Sequence, residues 1–482
     1  MRIISDCILS EIRSFVLLII LFPFCFSTRS QDITIKIHLR GLYESKISLL
    51  PLAGPNALKP VLSVEGVKNG ETATHKFPDE NLPGEFVLRF DYKEKESSTP
   101  YPSEKRIIAG NQNLELWVHP IFCNNPDSTW FQEDEKENKA FLNFSIENTR
   151  QKQMIGLLQN LLLNYDDPSS PFYRECIEEY EKRRISSNQW IDEQIMLNNT
   201  LFASKMFGFQ KIPEIDWKGS EAERKQSLQD NYFNEMDFNE PLILKTTNMK
   251  EWMDGYVNLY GEQAKSVPMR DSLFTLAGKN AIEKAKNGDP LVYGWMVDYF
   301  FKGYESFNIE KGIKMLETYM NDPDCLTTKR QEINRRLEGM KTLIQGTTAP
   351  DIILLDSENK PFILSSLHNK KDILVLFWSA DCVHCKEMTG KLYELYQKPE
   401  VKQKIDIVAV SIDETDTEIQ AWREKIGEMN GWIHLRAEEG VRSKVARDYF
   451  ILSVPVMILI DAETKKIIGL PDDTRQLERL LK

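Results

Sequence analysis

The spacing of apolar residues changes twice along the chain. Between about 31 and 121, Ile33, Ile35, Ile37 and Leu39 alternate with polar neighbours, the period of a half-buried strand. Similar short runs follow over 47–50, 86–90 and 114–119, separated by Gly54-Pro55-Asn56, Lys68-Asn69-Gly70 and Leu82-Pro83-Gly84. Such groups turn the chain, so the stretch predicts a small β-sandwich or barrel. Between about 128 and 345 the spacing lengthens. Ile309, Ile313, Leu316 and Met320 stand at i, i+4, i+7 and i+11, a one-sided helical stripe. The stretches 151–163, 188–207, 272–286 and 326–344 have the same character, and Pro171, Pro213, Pro241, Pro268, Pro290 and Pro323 punctuate them. Gly346-Thr347-Thr348-Ala349-Pro350 then interrupts the helical run. Beyond it the six apolar residues from Ile373 to Trp378 read as a strand buried on both faces.

The chemistry sits directly after that strand. A short polar turn leads to Cys382-Val383-His384-Cys385, and Met388, Leu392, Leu395 and Tyr396 follow at helical spacing. Cys382 therefore falls at a helix N-terminus, where unpaired N–H groups and the helix dipole favour a thiolate. Cys385 lies one turn deeper on the same face. Two sulfurs so placed close and reopen a disulfide with little backbone movement. A protonated His384 between them would favour the Cys382 thiolate and make the disulfide more oxidising; the plain alternative is a ring facing solvent that tunes little. A metal held by Cys382, His384 and Cys385 lacks a second ligand pair at zinc-like spacing, so neither metal nor cofactor is expected.

From about 346 to 482 the chain resembles thioredoxin-like proteins, most closely the exported thiol–disulfide oxidoreductases of the TlpA/ResA type. The residues that carry this are Ala349-Pro350-Asp351, Phe377-Trp378 before the CxxC, and Ile407-Val408-Ala409-Val410-Ser411-Ile412-Asp413. Tyr449 and the run from Val454-Pro455 to Asp461 complete them. The resemblance implies a cis Pro455 opposite the CxxC, a Val454 backbone that pairs with a substrate chain, and Trp378 packed beside the motif. It implies protein thiols and disulfides as substrates and a reductase fed by a membrane electron donor. His384, which also occurs in the CxHC tetrapeptide of the oxidase DsbA, argues for a more oxidising pair. His384 stands where the family often has proline. The thioredoxin-type aspartate six residues before Cys382 is replaced by Leu376. The ResA-type glutamate three residues after Cys385 is replaced by Met388, with Glu387 one position early. The usual proton acceptor for the inner cysteine is thus missing. The segment from Gly41 to Leu52 resembles the β-domain often attached to such proteins, and 237–260 resembles a helical domain found between the two.

With 482 residues, 41% hydrophobic and 28% charged, the chain is long enough for about three domains, each with a core. The expected division is a signal peptide over 1–30, a β-sandwich-like domain over 31–124, a helical domain over 125–345 and a thioredoxin-like α/β domain over 346–482. Net charge of −12 and the lack of a basic stripe disfavour nucleic acid. Arg2 and Arg13 precede an apolar run from Phe15 through Phe26, too short for a membrane span and suited to an export signal. The expected location is the periplasm or cell envelope of a Gram-negative bacterium. Phe24 is too bulky for lipid attachment at Cys25. Of seven cysteines, Cys7 and Cys25 would leave with the signal. Cys123, Cys176 and Cys325 remain, read as buried thiols rather than a bridge. Two rival functions stand beside thiol–disulfide exchange. A peroxiredoxin would need threonine and proline where Ser379 and Val375 stand. A cell-envelope binding or scaffold protein would account for the 345 residues before the α/β domain.

Overall fold

The structure, a computed structural model, describes residues 33–54, 57–367 and 371–482. The expected export signal over 1–30, with Cys7 and Cys25, lies outside the described residues, as do Pro55 and Asn56 of one expected turn.

The N-terminal strands are β1 (Thr34–Leu39), β2 (Glu44–Pro51), β3 (Leu62–Lys68), β4 (Thr72–Lys76), β5 (Gly84–Lys93), β6 (Tyr101–Ala109), β7 (Leu114–Val118) and β8 (Trp130–Phe131). They form two four-stranded sheets, ordered β4-β1-β7-β8 and β3-β2-β5-β6. Ile35, Ile37 and Leu116 from one sheet share a core with Ile47, Leu49, Phe86 and Phe90 from the other. Alternation thus does what the sequence pattern requires, and each such side chain removed from water stabilises the sandwich by about 1.5–3 kcal/mol. The β-domain does not stop at 124. Trp117 pairs with Trp130 and Leu116 with Phe131, because the β7 edge needs hydrogen-bond partners.

The middle of the chain forms α1 (Glu137–Asn164), α2 (Pro171–Leu197), α3 (Glu221–Asn231), α4 (Thr247–Gly261), α5 (Val267–Ala285), α6 (Pro290–Phe307), α7 (Glu310–Leu316) and α8 (Arg330–Thr342). Pro171, Pro268 and Pro290 stand in the first turns of α2, α5 and α6, where a missing N–H costs nothing. Ile309, Ile313, Leu316 and Met320 are all buried in one core with Met249, Met253, Tyr256 and Tyr260 of α4. Two expected helices are shorter than their patterns. The 188–207 run breaks after Leu197 and resumes as a 3-10 turn at Phe202, whose N–H groups at Phe202 and Ala203 are taken by the Glu137 carboxylate (3.0 and 2.8 Å). The 326–344 run becomes helical only at Arg330, because the Asp298 carboxylate accepts from Thr327 Oγ1 and from Thr328 N (3.1 Å), holding that segment out of the helix.

The C-terminal unit contains β9 (Ile353–Leu355), β10 (Pro361–Ile363), β11 (Asp372–Trp378), α9 (Val383–Tyr396), α10 (Pro399–Lys402), β12 (Ile405–Ser411), α11 (Asp416–Ile426), β13 (Ile433–Arg436), α12 (Lys444–Asp448), β14 (Val456–Ile460), β15 (Ile467–Gly469) and α13 (Thr474–Leu480). Its five-stranded sheet runs β13-β12-β11-β14-β15, with β11, β12 and β13 parallel to one another and β14 antiparallel to both of its neighbours, β11 and β15. Ile373, Val375 and Phe377 face one core, and Leu374, Leu376 and Trp378 face the other. That two-sided burial explains the unbroken apolar run of β11. Tyr449 packs on Phe377 (5.2 Å between ring centroids) and donates its hydroxyl to Pro350 O (2.5 Å), closing the domain entry onto the core.

Candidate active site

β11 carries the chain to the rim of the sheet, and α9 starts there. Cys382 is the N-cap of α9, and its Sγ accepts the Cys385 N–H at 3.2 Å. This is the capping position normally taken by Ser, Thr, Asp or Asn, with sulfur in place of oxygen. Cys382 is half-buried, Cys385 is fully buried, and both are free thiols. Burial pushes the Cys385 thiol well above the usual range, and the hydrogen bond with Cys382 adds to this. A solvent-reachable outer sulfur thus sits against a sequestered, protonated inner one.

The opposite wall comes from the strand beyond. β11 and β14 pair with Phe377 against Val456, so the two residues before β14 fall beside the turn that presents Cys382. Those residues are Val454 and Pro455, joined by a cis peptide. The Cys382 thiol donates toward Val454 O at 3.7 Å. Among the described residues the Val454 N–H has no hydrogen-bond partner. This leaves a donor beside the outer sulfur, available to an extended chain laid along the edge. Trp378 is 0% exposed and shares its core with Ala380 and Cys385. His384 is exposed, on the solvent side of the first turn of α9. It lines a cleft of about 490 Å³ together with Met388, Pro455 and the charged residues Lys391, Asp473 and Arg475.

Leu376 and Met388 supply no carboxylate to the inner cysteine, as their identities dictate. Glu387 is exposed and paired with Lys391 (2.6 Å). The carboxylate that does reach this neighbourhood is Asp413, 1% exposed, at the end of β12. It accepts from Ser379 Oγ (2.6 Å), Ala380 N (3.0 Å) and Ser411 Oγ (2.7 Å). Sequence reasoning placed Asp413 in a family motif and gave it no role. The available signal was the abrupt arrival of two polar residues, Ser411 and Asp413, at the end of an apolar strand. Cys123, Cys176 and Cys325 are buried free thiols in three separate cores.

Residues 369–467 match a family model described as thioredoxin-like. Over 109 residues the chain is 28% identical to a tryparedoxin of Trypanosoma brucei brucei, a stretch covering 22% of this chain and 73% of that protein. Among solved structures, the thioredoxin domain of a thiol-disulfide oxidoreductase from Bacteroides vulgatus is 26% identical, covering 29% of this chain and 99% of that one with a TM-score of 0.26. A thioredoxin-like protein from Bacteroides caccae is 18% identical, covering 53% of this chain and 92% of that one with a TM-score of 0.35. The family match over 369–467 makes the C-terminal unit a thioredoxin-like domain, preceded by a sheet-rich and a helical region.

Proposed function

We propose that this protein is an exported thiol–disulfide oxidoreductase in which Cys382 is the nucleophile and Cys385 the resolving thiol. The observation that carries this reading is the asymmetry of the two sulfurs: Cys382 half-exposed at a helix N-cap beside the Val454 carbonyl, Cys385 buried one turn below. In the first step the Cys382 thiolate attacks a substrate disulfide, and one substrate sulfur leaves as a thiolate. In the second, Cys385 attacks Cys382 Sγ; the mixed disulfide breaks, the internal disulfide forms, and the Cys385 proton ends on the departing substrate sulfur. The free Val454 N–H and its carbonyl hold the substrate chain during both steps. Protein disulfides are the proposed substrates, since a backbone edge recognises main chain and not a particular side chain.

Export is supported by Arg2, Arg13 and the apolar run from Phe15, and with it a periplasmic or envelope location and a membrane electron donor in the manner of the TlpA/ResA type. The test of the chemistry is insulin reduction and trapping by purified protein. Cys382→Ala abolishes exchange, whereas Cys385→Ser accumulates a mixed disulfide on Cys382. Full exchange by the Cys382→Ala protein refutes the assignment. A redox titration sets direction: a value near about −270 mV marks a reductant and one near about −120 mV an oxidant.

A further inference from the structure

Val454 has a second neighbourhood besides the cysteines. On one side its carbonyl meets the Cys382 thiol (3.7 Å). On the other, Leu452 packs on the core of the helical domain, and Ser453 and Val456 line the cleft of about 280 Å³ between the two domains. Among the described residues the N–H groups of Leu452, Ser453 and Val454 all lack hydrogen-bond partners. A chain that pairs with Val454 beside Cys382 is therefore carried along open donors to the mouth of this cleft. The walls of the cleft say what it takes. Its charges are satisfied among themselves: Arg336 holds Glu305 (3.0 Å) and Lys314 holds Glu310 (3.5 Å). Neither sign is left over for an ionic ligand. What is unsatisfied is apolar. Ile344, just past the end of α8, is 49% exposed, and Leu470, just past β15, is 40% exposed. Both line the same space, as does Met340 of α8. Apolar side chains gathered in a concavity release water when another apolar group covers them.

We propose that this cleft is a side-chain subsite for the disulfide-bearing polypeptide: it takes an apolar residue of the substrate a few positions from the attacked cysteine, so that the helical domain helps to choose the substrate. This rests on the reading of Cys382 and Cys385 as the exchange pair, with Val454 as the edge that holds the substrate main chain. Main-chain pairing attaches a polypeptide without selecting its sequence, and a pocket for a side chain beside that edge supplies the selection. The occupant is the substrate itself because cleft and edge are continuous: Ser453 and Val456, which line the cleft, flank the cis Val454-Pro455 pair. The space is the size of one or two side chains, and its two walls come from different domains. Glu305, Glu310 and Met340 stand on α6, α7 and α8, and Ser453, Val456 and Leu470 belong to the thioredoxin-like domain.

The experiment oxidises the prereduced full chain with three disulfides: hydroxyethyl disulfide, a disulfide-linked peptide with leucines on both sides of its cysteine, and the same peptide with serines in their place. In each case the two thiols of the protein supply both electrons, the internal disulfide forms, and the oxidant leaves as two thiols. The leucine peptide should react about tenfold faster than the serine peptide, the discrimination that one apolar side chain gives in a partly open pocket. Ile344→Glu puts a charge into the cleft and should remove most of that preference. Leu470→Glu should do the same from the other wall. Both residues are exposed, so neither replacement opens a core. Equal rates for the two peptides with the unmodified protein, or a leucine preference that survives both replacements, overturn the proposal. So does a loss that falls equally on all three disulfides, which is the mark of displaced structure. A sedimentation coefficient that drops in Ile344→Glu overturns it as well, since the cleft is then a contact between copies of this chain. If none of the three disulfides oxidises Cys382 and Cys385 of the unmodified protein, the exchange reading itself fails and takes the subsite with it, a result distinct from the others.

Discussion

At its junction with the β-sandwich the helical domain is held by buried carboxylates, and at its junction with the thioredoxin-like domain by a guanidinium. On the first side, Glu85 of β5 accepts the Thr247 N–H (2.6 Å) and so caps α4 from another domain. Glu137 fills the space in front of Gly110, where a Cβ would come within 2.3 Å of its carboxylate. The Asn138 side chain pairs with both Ile108 N and Ile108 O (2.8 Å each), and Lys245 donates to Leu82 O (2.7 Å). On the second side, Arg335 of α8 donates to Val441 O (3.3 Å) and Ala446 O (2.6 Å), and Gly339 lets α8 approach Phe450. Among the described residues, only the second junction touches the chain that leads into Val454-Pro455. Leu452 packs on the helical core, and a cleft of about 280 Å³ there is lined by Arg336, Met340, Phe450 and Ser453. One junction therefore bears on stability alone, and the other, on the proposed reaction, also on exchange.

The largest effect expected from this contrast is at Glu137. Glu137→Ala leaves the buried Phe202 and Ala203 N–H groups without partners, at a cost of about 3 kcal/mol, read by urea unfolding. Exchange per folded molecule should not change. A fall in specific activity at Cys382 would break the contrast. Next is Gly339→Val. Even a Cβ would lie 2.7 Å from Phe450 Cβ, and Phe450 sits at φ 52°, a left-handed conformation with little room to yield. Overpacking of this kind costs about 2 kcal/mol. Insulin reduction should fall beyond the loss of folded protein, because the displaced segment ends at the substrate edge. Undiminished activity would show that the helical domain does not support that edge.

The smallest effect is on pH. Burial raises the Glu85 and Glu137 carboxyls above the ordinary value of 4.5, against the N–H groups that lower them. A raised folded-state pKa means that the folded protein holds these protons more tightly than the unfolded chain. Their contribution is fully present below the unfolded pKa and is lost as pH rises through the folded one. Burial lowers Arg335 below the usual guanidinium range, and the group stays charged at these pH values. Glu85→Gln should therefore gain on the unmodified protein in thermal melting as pH rises above about 4.5. A difference that is flat with pH would remove the carboxylate side of the comparison.

Much of the fold was legible because the relevant signals are local. The period of two over 33–39 matches β1, the stripe from Ile309 to Met320 is met by α7 and the 3-10 turn that follows it, and the two-sided burial of β11 follows from its composition. The misread places share a cause. The 188–207 and 326–344 patterns are helical in spacing, but carboxylates from α1 and α6 capture their backbone and hold part of each out of the helix. Propensity is a weak prior where a tertiary partner offers a better hydrogen bond. β8 escaped because two residues carry no periodicity; they are a strand only by pairing with β7.

The sequence by itself determined that two thiols three residues apart would share a helix tip, since a turn of helix is set by the backbone and needs nothing from elsewhere. It also placed a proline at the entrance of the strand opposite. What only the tertiary structure decided is which residues surround those thiols. Pairing of Trp378 with Ser411 in adjacent strands brings Asp413 against Ser379, 34 positions away, and packing of α8 on Phe450 ties the helical domain to the segment that leads into Val454-Pro455. Such neighbours are fixed by sheet register and close packing, quantities summed over whole domains, and no short stretch of the chain contains them.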